Sequence, residues 1–493
     1  MRSVTRRAVA LLLAALSLAG GGCQRTQEGS FDVAVIGDQP RLVDPAATDP
    51  SLAEGVLLAN AAQGLVRFDA RGQIEPGLAE RWNVSDDGLS YIFRLAGAEW
   101  QGGGKVTAQQ VARLLRRQLT SSSKNPLKDT LGVVEDVVAM TDRVLEIRLR
   151  APRSSLLQVL AQPEFALVRN GHGSGPFTPG EGTREGGGLL LTRSVIGLDE
   201  EEIRREEVVL RGDSAATAVN RFIDGSTDLV LGGTFADLPL VRKTGLPRRS
   251  LQFDPVAGLF GLAPARSGTI LDDPDVRRLL AQAIDRDALL AELDVPGLLP
   301  RATVLEVGLD GLADPVAPQW MGTPIGDRRP QLILFANRQF GADVRPTLRL
   351  WLPDGPGADL LLRRLNADWG LLGIQVERAA SARAADLVLI DDVAPSTSPA
   401  WFLRRFRCGV APVCDAEVDE LLGGARETLI PAQRNALLAQ AAQRIDELRL
   451  FLPIAAPVRW SLVGSRVNGF AGNRFGVHTL TALGERPGRQ GDE

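Results

Sequence analysis

The sequence predicts an α/β protein from the order of its local patterns, and its composition indicates a globular chain. Segments with the twofold alternation of strands are interleaved throughout with segments at helical spacing, which is the pattern of α/β domains. Hydrophobic residues make up 44% and charged residues 24% of 493 residues. This balance is ordinary for globular proteins, and the length corresponds to about three domains of roughly 150 residues.

The N-terminus has the features of an export signal. Three arginines precede an apolar run over residues 8–19. The run is shorter than the about 20 residues that a membrane span needs, so we predict a signal peptide over residues 1–22 and a tether over 23–30. The end of the run overlaps the sequence LAGGGC, residues 18–23, which ends at Cys23 and resembles the cleavage box of bacterial lipoproteins. We therefore expect Cys23 to carry a lipid anchor; the alternative is an ordinary signal peptide cleaved nearby.

Local patterns predict the elements of the mature chain. Two alternating runs, RWNVS and LSYIFRL, flank Asp86-Asp87-Gly88 and indicate a hairpin. Thr107 and Gln110 form a capping box at the start of a helix. Two further strands are predicted within 133–149, and others at 32–36, 228–231, 347–352, 374–377, 387–390 and 453–456. Further helices are predicted at 51–62, 154–160, 215–223, 275–293, 357–371 and 431–449.

Charge and motifs exclude several classes of function. The net charge of -4 leaves no basic surface for nucleic acid. GGGKVT around Lys105 lacks the Ser or Thr that follows the lysine of a phosphate loop. HGSGP around Ser174 is not a nucleophile elbow, and no HExxH occurs. We therefore expect no enzyme activity, and neither a metal nor another cofactor.

The two remaining cysteines, Cys408 and Cys414, are separated by five residues. A disulfide is the default expectation for such a pair in an oxidising compartment. Two thiols without a nearby histidine do not make a zinc site.

Several motifs resemble the family 5 extracellular solute-binding proteins, which include the oligopeptide, dipeptide and nickel binding proteins of ABC importers. The densest stretch is AAQGLVRFDARGQIEPGLAERWNVSDDGLSYIFRL, over residues 61–95. It is followed in the family order by WQGGGKVTAQQVARLL, GSGPF over 173–177, DPDVRRLLAQAIDRDALL from Asp273, and Leu452-Pro453-Ile454. In some dipeptide-type members a disulfide lies at the position of Cys414, which supports its pairing with Cys408.

The resemblance implies a two-lobed periplasmic binding protein of type II, with a hinge and an extra inserted domain. Carried onto this chain, lobe I comprises 31–48, 170–258 and 462–486. The inserted domain comprises 49–169, and the other lobe, here lobe III, comprises 259–461. Ligand is expected between the lobes, where closure buries it.

The resemblance also implies the function, which is that of the substrate-binding component of an ABC importer. The protein would capture peptides or a related small solute and deliver them to the permease and its ATPase subunits. We expect a monomer in the periplasm, held by a lipid anchor to the inner or the outer membrane. The alternative is a lipoprotein that keeps this scaffold, has lost transport and serves a sensory or structural role.

The segment ADLVLIDDVAPSTSPAWFL, residues 385–403, resembles the family segment whose aspartate pairs with the α-amino group of a peptide. Counting along it, that aspartate falls on Pro395. Asp391 and Asp392 are candidate replacements, although strand alternation turns them in different directions; a solvated strand end is their alternative role. Trp401 and Trp100 are candidate aromatics of the cleft, and core packing is the alternative for each.

Overall fold

The structure, a computed structural model, describes residues 29–183, 187–196, 203–341 and 345–484. Its strands, in chain order, are β1 (Phe31–Ile36), β2 (Val66–Phe68), β3 (Ile74–Pro76), β4 (Ala79–Val84), β5 (Ser90–Leu95), β6 (Val134–Ala139), β7 (Val144–Leu149), β8 (Thr178–Thr183), β9 (Leu189–Ile196), β10 (Ile203–Asp213), β11 (Leu229–Thr234), β12 (Leu251–Phe253), β13 (Gly258–Pro264), β14 (Thr347–Trp351), β15 (Gln375–Arg378), β16 (Leu387–Val393), β17 (Leu452–Ala455) and β18 (Arg459–Val463).

The α-helices of the described residues alternate with these strands, as the interleaved patterns predict. In chain order they are α1 (Leu52–Ala61), α2 (Ala108–Gln118), α3 (Leu156–Leu160), α4 (Ala215–Ile223), α5 (Leu238–Arg242), α6 (Pro274–Ala283), α7 (Arg286–Leu293), α8 (Ile325–Phe340), α9 (Pro356–Gly370), α10 (Pro399–Leu403), α11 (Ala416–Glu427) and α12 (Pro431–Leu448). None of them is both long and apolar enough to cross a bilayer.

A seven-stranded sheet forms the first lobe, in the order β12-β18-β11-β1-β10-β9-β8. The central strand β1 pairs in parallel with β10 and β11. Its residues Val33, Ala34 and Val35 are fully buried. A strand whose consecutive residues are all apolar and buried is covered on both faces, so β1 supplies the core on both sides of this sheet.

A five-stranded sheet, in the order β15-β14-β16-β13-β17, forms lobe III. The chain between β1 and β8 forms a separate four-stranded sheet, β4-β5-β7-β6, with the short pair β2-β3 and helix α2. In it the predicted hairpin is confirmed, with Gly88 at positive φ in the turn between β4 and β5. The capping box of Thr107 and Gln110 at the start of α2 is also confirmed.

The helix predicted over 275–293 is instead two helices, α6 and α7. Asp285 caps α7 by accepting a hydrogen bond from the amide of Ala288 (3.1 Å). Arg286 does not lie on a polar helix face, because its buried guanidinium donates hydrogen bonds to the carbonyl of Pro453 at 2.9 and 2.7 Å. Burial lowers the pKa of Arg286 to about 9. The residues after Ile284 therefore attach the helix pair to strand β17.

Two short connections join the two large sheets. Residues 254–257 lead from β12 to β13, and residues 456–458 lead from β17 to β18. This pair of connections is the hinge expected of a two-lobed binding protein. The predicted boundary between residues 461 and 462 falls inside β18, which pairs along its length with β11 and β12 of the first lobe.

Beside the hinge, the lobes pack through close backbone contact. The amide of Gly357 in α9 donates a hydrogen bond to the carbonyl of Ala236 (2.8 Å). A Cβ atom at Gly357 would lie 1.9 Å from the carbonyl oxygen of Phe235. The ring of Phe235 in turn packs edge-on against Phe260 of β13, with 4.9 Å between centroids. Glycine at 357 is therefore required for the lobes to pack here.

Gly357→Ala should lower the thermal unfolding midpoint, because the added methyl group overlaps backbone and costs about 1–3 kcal/mol. Gly370→Ala, at the other end of α9, is the matched control, since a Cβ there meets nothing within 4 Å. The control should be neutral or stabilising by up to about 1 kcal/mol. Equal midpoints for the two variants, measured by circular dichroism, would contradict the close packing of the lobes.

Candidate functional site

A cavity of about 420 Å³ lies between the lobes, next to the hinge. Its walls come from the start of α1, the end of β11, the end of β16 with the loop that follows, the start of β18, residues 475–478 and residues 162–164 of the inserted segment. Sites for small molecules are clefts of roughly 300–1,000 Å³. This cavity, here called the cleft, has the size of a site for a small solute and is lined by both lobes and by the inserted segment.

Asp391 lines the cleft and is bound to an arginine from the other lobe. Arg459, the first residue of β18, donates one hydrogen bond to Oδ1 of Asp391 and another to its main-chain carbonyl, each 2.8 Å long. The two side chains are 16% and 18% exposed. Burial raises the pKa of Asp391, while Arg459 opposes this shift. The pair thus joins β16 to β18 across the lobes.

The other charged groups on this side of the cleft are also paired. Asp392 forms an ion pair with Arg405. Asp254, in the first connection of the hinge, lies 3.1 Å from Nε2 of His478. Both predicted candidates for an ammonium anchor, Asp391 and Asp392, therefore already have an arginine partner.

Pro395 lines the cleft at the position where the family motif has its aspartate. Its carbonyl accepts a hydrogen bond of 2.8 Å from the buried side chain of Gln162 in the inserted segment. The next residues are held in the same way, because Oε1 of Gln158 accepts hydrogen bonds from the amide (2.9 Å) and the hydroxyl (3.0 Å) of Thr397. The inserted segment therefore closes one side of the cleft against this loop.

The two predicted aromatics occupy different places. Trp401 lines the cleft but is only 4% exposed, packing edge-on against Phe402 in the core of lobe III. The placement of Trp100 in the cleft is wrong. Its ring is buried in the core of the inserted segment, where the indole N–H donates to Oε1 of Gln110 (2.8 Å).

Glu164 is a cleft residue that the sequence motifs did not indicate. It lies in a turn of 3-10 helix, Pro163–Phe165, held in place by the buried ring of Phe165. The Oε2 atom is shielded from solvent and accepts no hydrogen bond from the described residues. Burial raises the pKa of Glu164, and the carboxylate of Asp49 raises it further. An acidic residue in the run AQPEFALV, which is apolar apart from Gln162 and Glu164, was the signal in the sequence.

The disulfide between Cys408 and Cys414 is present. It closes the loop between α10 and α11, where the amide of Cys408 also donates to Oδ1 of Asp419 (2.9 Å). Cys23 and the predicted signal peptide lie outside the described residues. Within those residues, no group of three or more His, Cys, Asp or Glu side chains is placed to hold a metal ion.

Comparison with known proteins agrees with this architecture. The profile of the bacterial extracellular solute-binding proteins, family 5 Middle, matches residues 73–319. The chain is 24% identical to the probable deoxycholate-binding periplasmic protein YgiS of Escherichia coli, over 87% of this chain and 89% of that protein. It is 24% identical to probable di/tripeptide-binding protein 5 of Pseudomonas aeruginosa, over 84% and 87%.

The fold is also that of a solved binding protein. The murein tripeptide binding protein MppA of Escherichia coli superposes with a TM-score of 0.78 at 19% identity, covering 92% of this chain and 97% of that one. This likeness confirms the two-lobed type II architecture that the sequence motifs imply.

The pair of Arg459 and Asp391 should show strong energetic coupling. In a double-mutant cycle of Arg459→Met and Asp391→Asn, we expect a coupling of about 0.5–3 kcal/mol in the free energy of unfolding. The exposed pair of Arg94 and Glu80 is the control and should give no more than about 1 kcal/mol. A coupling no larger than that of the control would show that the pair does not hold the lobes together.

Proposed function

Because the chain belongs to family 5 of the bacterial extracellular solute-binding proteins, we propose that it captures short peptides with a free amino terminus in its cleft. Members of this family bind solutes in the periplasm and are not enzymes. In this proposal, closure of the lobes about residues 254–257 and 456–458 buries the peptide, and the closed form delivers it to the permease and ATPase subunits of an ABC importer.

The observation that carries this proposal is the unpaired carboxylate of Glu164. An ammonium group buried without a counter-ion is costly, and so is a buried carboxylate. A peptide whose amino group reaches Glu164 removes both costs at once. Among the carboxylates of the cleft, Asp391, Asp392 and Asp254 already have partners, whereas no described cation pairs with Glu164. The proposal therefore moves the ammonium anchor from position 395 to the inserted segment.

The other predicted residues retain roles in this proposal. Asp391 and Asp392 stay candidates for peptide contact, because a carboxylate has about four acceptor sites and the contact with its arginine partner uses only part of them. Trp401 and Pro395 form part of the wall against which the peptide lies. Most of the affinity for varied side chains would come from hydrogen bonds to the main chain and from bridging water.

The names of the relatives support a small solute and differ on its chemistry. One relative is named for di- and tripeptides and another for deoxycholate. The volume of the cleft suits a ligand of either size. Glu164 favours the peptide, since deoxycholate carries a carboxylate and no cation. The retained unpaired carboxylate also argues against a scaffold that has lost its ligand.

The proposal extends to how the protein is held in the periplasm. Cys23 would carry the lipid anchor, with residues 24–30 as the tether, and the protein would act as a monomer. A diacylated N-terminus holds a protein at a membrane far better than a single chain does.

Glu164→Gln should weaken the binding of free peptides by about tenfold or more, because the amide cannot neutralise an ammonium group. The measurement is equilibrium dialysis against a mixture of free dipeptides, followed by mass spectrometry. N-acetylated versions of the same dipeptides should bind wild type and variant equally. Glu99→Gln, at an exposed glutamate of the inserted segment, is the matched control.

The same assay separates the alternatives. If Asp391→Ala or Asp392→Ala abolishes binding of the free dipeptides while Glu164→Gln does not, the anchor lies on β16. Native mass spectrometry of protein purified without refolding identifies its natural solute, and a bile acid there would contradict the peptide proposal.

Binding of free peptides should also depend on pH. Because the pKa of Glu164 is raised, the affinity of the wild type should fall as the pH falls through the pKa of this carboxyl group, and the affinity of Glu164→Gln should change less.

Cys23→Ser should abolish incorporation of labelled fatty acid and release the protein from the membrane fraction, because serine provides no thiol for the lipid. Cys408→Ser is the control and should leave the protein membrane-bound. Fatty acid incorporation that persists in Cys23→Ser would contradict the proposed anchor.

A further inference from the structure

A second cavity, of about 340 Å³, lies between the inserted segment and lobe III. Residues 129–133 and 150–159 line one side, and residues from 396–407 and 422–438 line the other. Trp401 and Arg404 line both this cavity and the cleft. We name it the arginine cavity, after the residues that dominate its lining.

The arginine cavity has an uncompensated positive charge. Its lining holds six arginines and one aspartate, Asp129, which is an excess of five positive charges. None of the six forms an ion pair with a carboxylate of the described chain, in contrast to Arg459 of the cleft or Arg444 of α12. The six are Arg150, Arg153, Arg404, Arg407, Arg426 and Arg434.

The polar contacts of these arginines do not neutralise them. Arg153 and Arg434 both donate to the carbonyl of Pro152, at 2.8 and 3.1 Å. A carbonyl accepts a hydrogen bond but carries no net charge. Two buried N–H groups in the lining also lack an acceptor among the described residues, Nε of Arg434 and the indole nitrogen of Trp401. A buried donor without an acceptor is costly, so these groups indicate that a ligand completes the site.

The lowered pKa values of the cavity arginines agree with the absence of a nearby counter-ion among the described residues. Burial, together with the neighbouring cations Arg434 and Arg405, lowers the pKa values of Arg153 and Arg404 to about 10. Asp129 and Asp392 oppose the lowered pKa of Arg404, and Asp310 opposes that of Arg434, although none of the three forms an ion pair with these arginines. Burial without a counter-ion has this effect on a cation.

We propose that the arginine cavity binds an organic anion with two or more negative charges, carried by phosphate or carboxylate groups. The planar guanidinium group presents paired donors that match the oxygens of both groups. The volume of the cavity lies within the range of small-molecule sites. An anion here would bridge the inserted segment and lobe III, and would thereby hold the wall that contains Gln158 and Gln162 against the loop at Pro395. The arginine cavity shares Trp401 and Arg404 with the cleft, and binding of an anion in it does not require a peptide.

The test is calorimetric titration of the full mature protein with citrate and with pyrophosphate, at constant ionic strength. We expect saturable binding by the wild type. Arg153→Gln and Arg434→Gln should each weaken it by about tenfold or more, as expected for the loss of a hydrogen bond from a charged donor. Arg113→Gln, at an exposed arginine of α2, is the matched control and should bind as the wild type does. Arg153→Lys, which keeps the charge and loses the planar fork, should bind with intermediate affinity.

A second measurement separates an anion site from a purely structural cluster. Without anion, Arg153→Gln and Arg434→Gln should unfold at the same or a higher temperature than the wild type, because each removes a buried cation that has no partner. Lower midpoints in both, together with unchanged anion binding, would overturn the proposal. Absence of saturable binding by the wild type, or equal binding by every variant, would also overturn it.

Competition with free dipeptides identifies the source of the anionic group. Simultaneous binding of citrate and a neutral dipeptide indicates a separate anion. Displacement of an acidic dipeptide by citrate, with no displacement of a neutral one, indicates that the cavity receives the acidic end of the solute. Either result supports an anion site in the arginine cavity. Neither result depends on whether Glu164 binds the amino group of a peptide, which the Glu164→Gln variant tests separately.

Discussion

Charged groups buried between the lobes require counter-ions, and the ion pair of Arg459 and Asp391 meets this requirement where the lobes join. Arg459 begins the strand that leaves the second connection of the hinge, and Asp391 lies near the end of β16 in lobe III. Asp254, in the other connection, contacts His478. The carboxylates of Asp391 and Asp254 on the hinge side of the cleft therefore each have a partner within the protein. Among the described carboxylates that line the cleft, Glu164 is the one without an arginine or histidine partner.

The inserted segment is part of the binding apparatus. Gln158 and Gln162 bind the loop that contains Pro395, and Glu164 provides the unpaired carboxylate. The same segment contributes Arg150 and Arg153 to the arginine cavity. Because its contacts reach across to lobe III, a ligand in either cavity would favour the closed arrangement over the open one by mass action.

The proline at 395 has a physical consequence beyond the loss of a carboxylate. Proline has no amide hydrogen, and its carbonyl is already occupied by Gln162. Position 395 therefore offers a ligand neither a charge nor a hydrogen-bond donor, and its carbonyl already accepts one hydrogen bond. In the proposed function, the carboxylate of Glu164 in the inserted segment takes the place of the aspartate that is absent at position 395.

The sequence by itself determined the features that depend on neighbouring residues. The turn at Gly88, the capping box at Thr107 and the alternation of strands and helices are set by local conformational preferences, and the structure confirms them. The order of the motifs also identified the family and hence the two-lobed fold. The periodicity of the sequence did not predict the break in the helix before Arg286. The guanidinium group at this break donates to the carbonyl of Pro453, which is 167 residues away in the chain.

Only the tertiary structure decided which groups of the cleft are free to bind. Asp391 and Asp392 look alike as candidate anchors in the sequence, yet each has an arginine partner, one of them 68 residues away. Trp100 and Trp401 look alike as aromatics, yet only Trp401 reaches the cleft. Glu164 looks like any other glutamate in the sequence, yet its buried Oε2 accepts no hydrogen bond from the described residues. Ion pairing and burial depend on contacts between remote segments, and local sequence patterns contain no information about them.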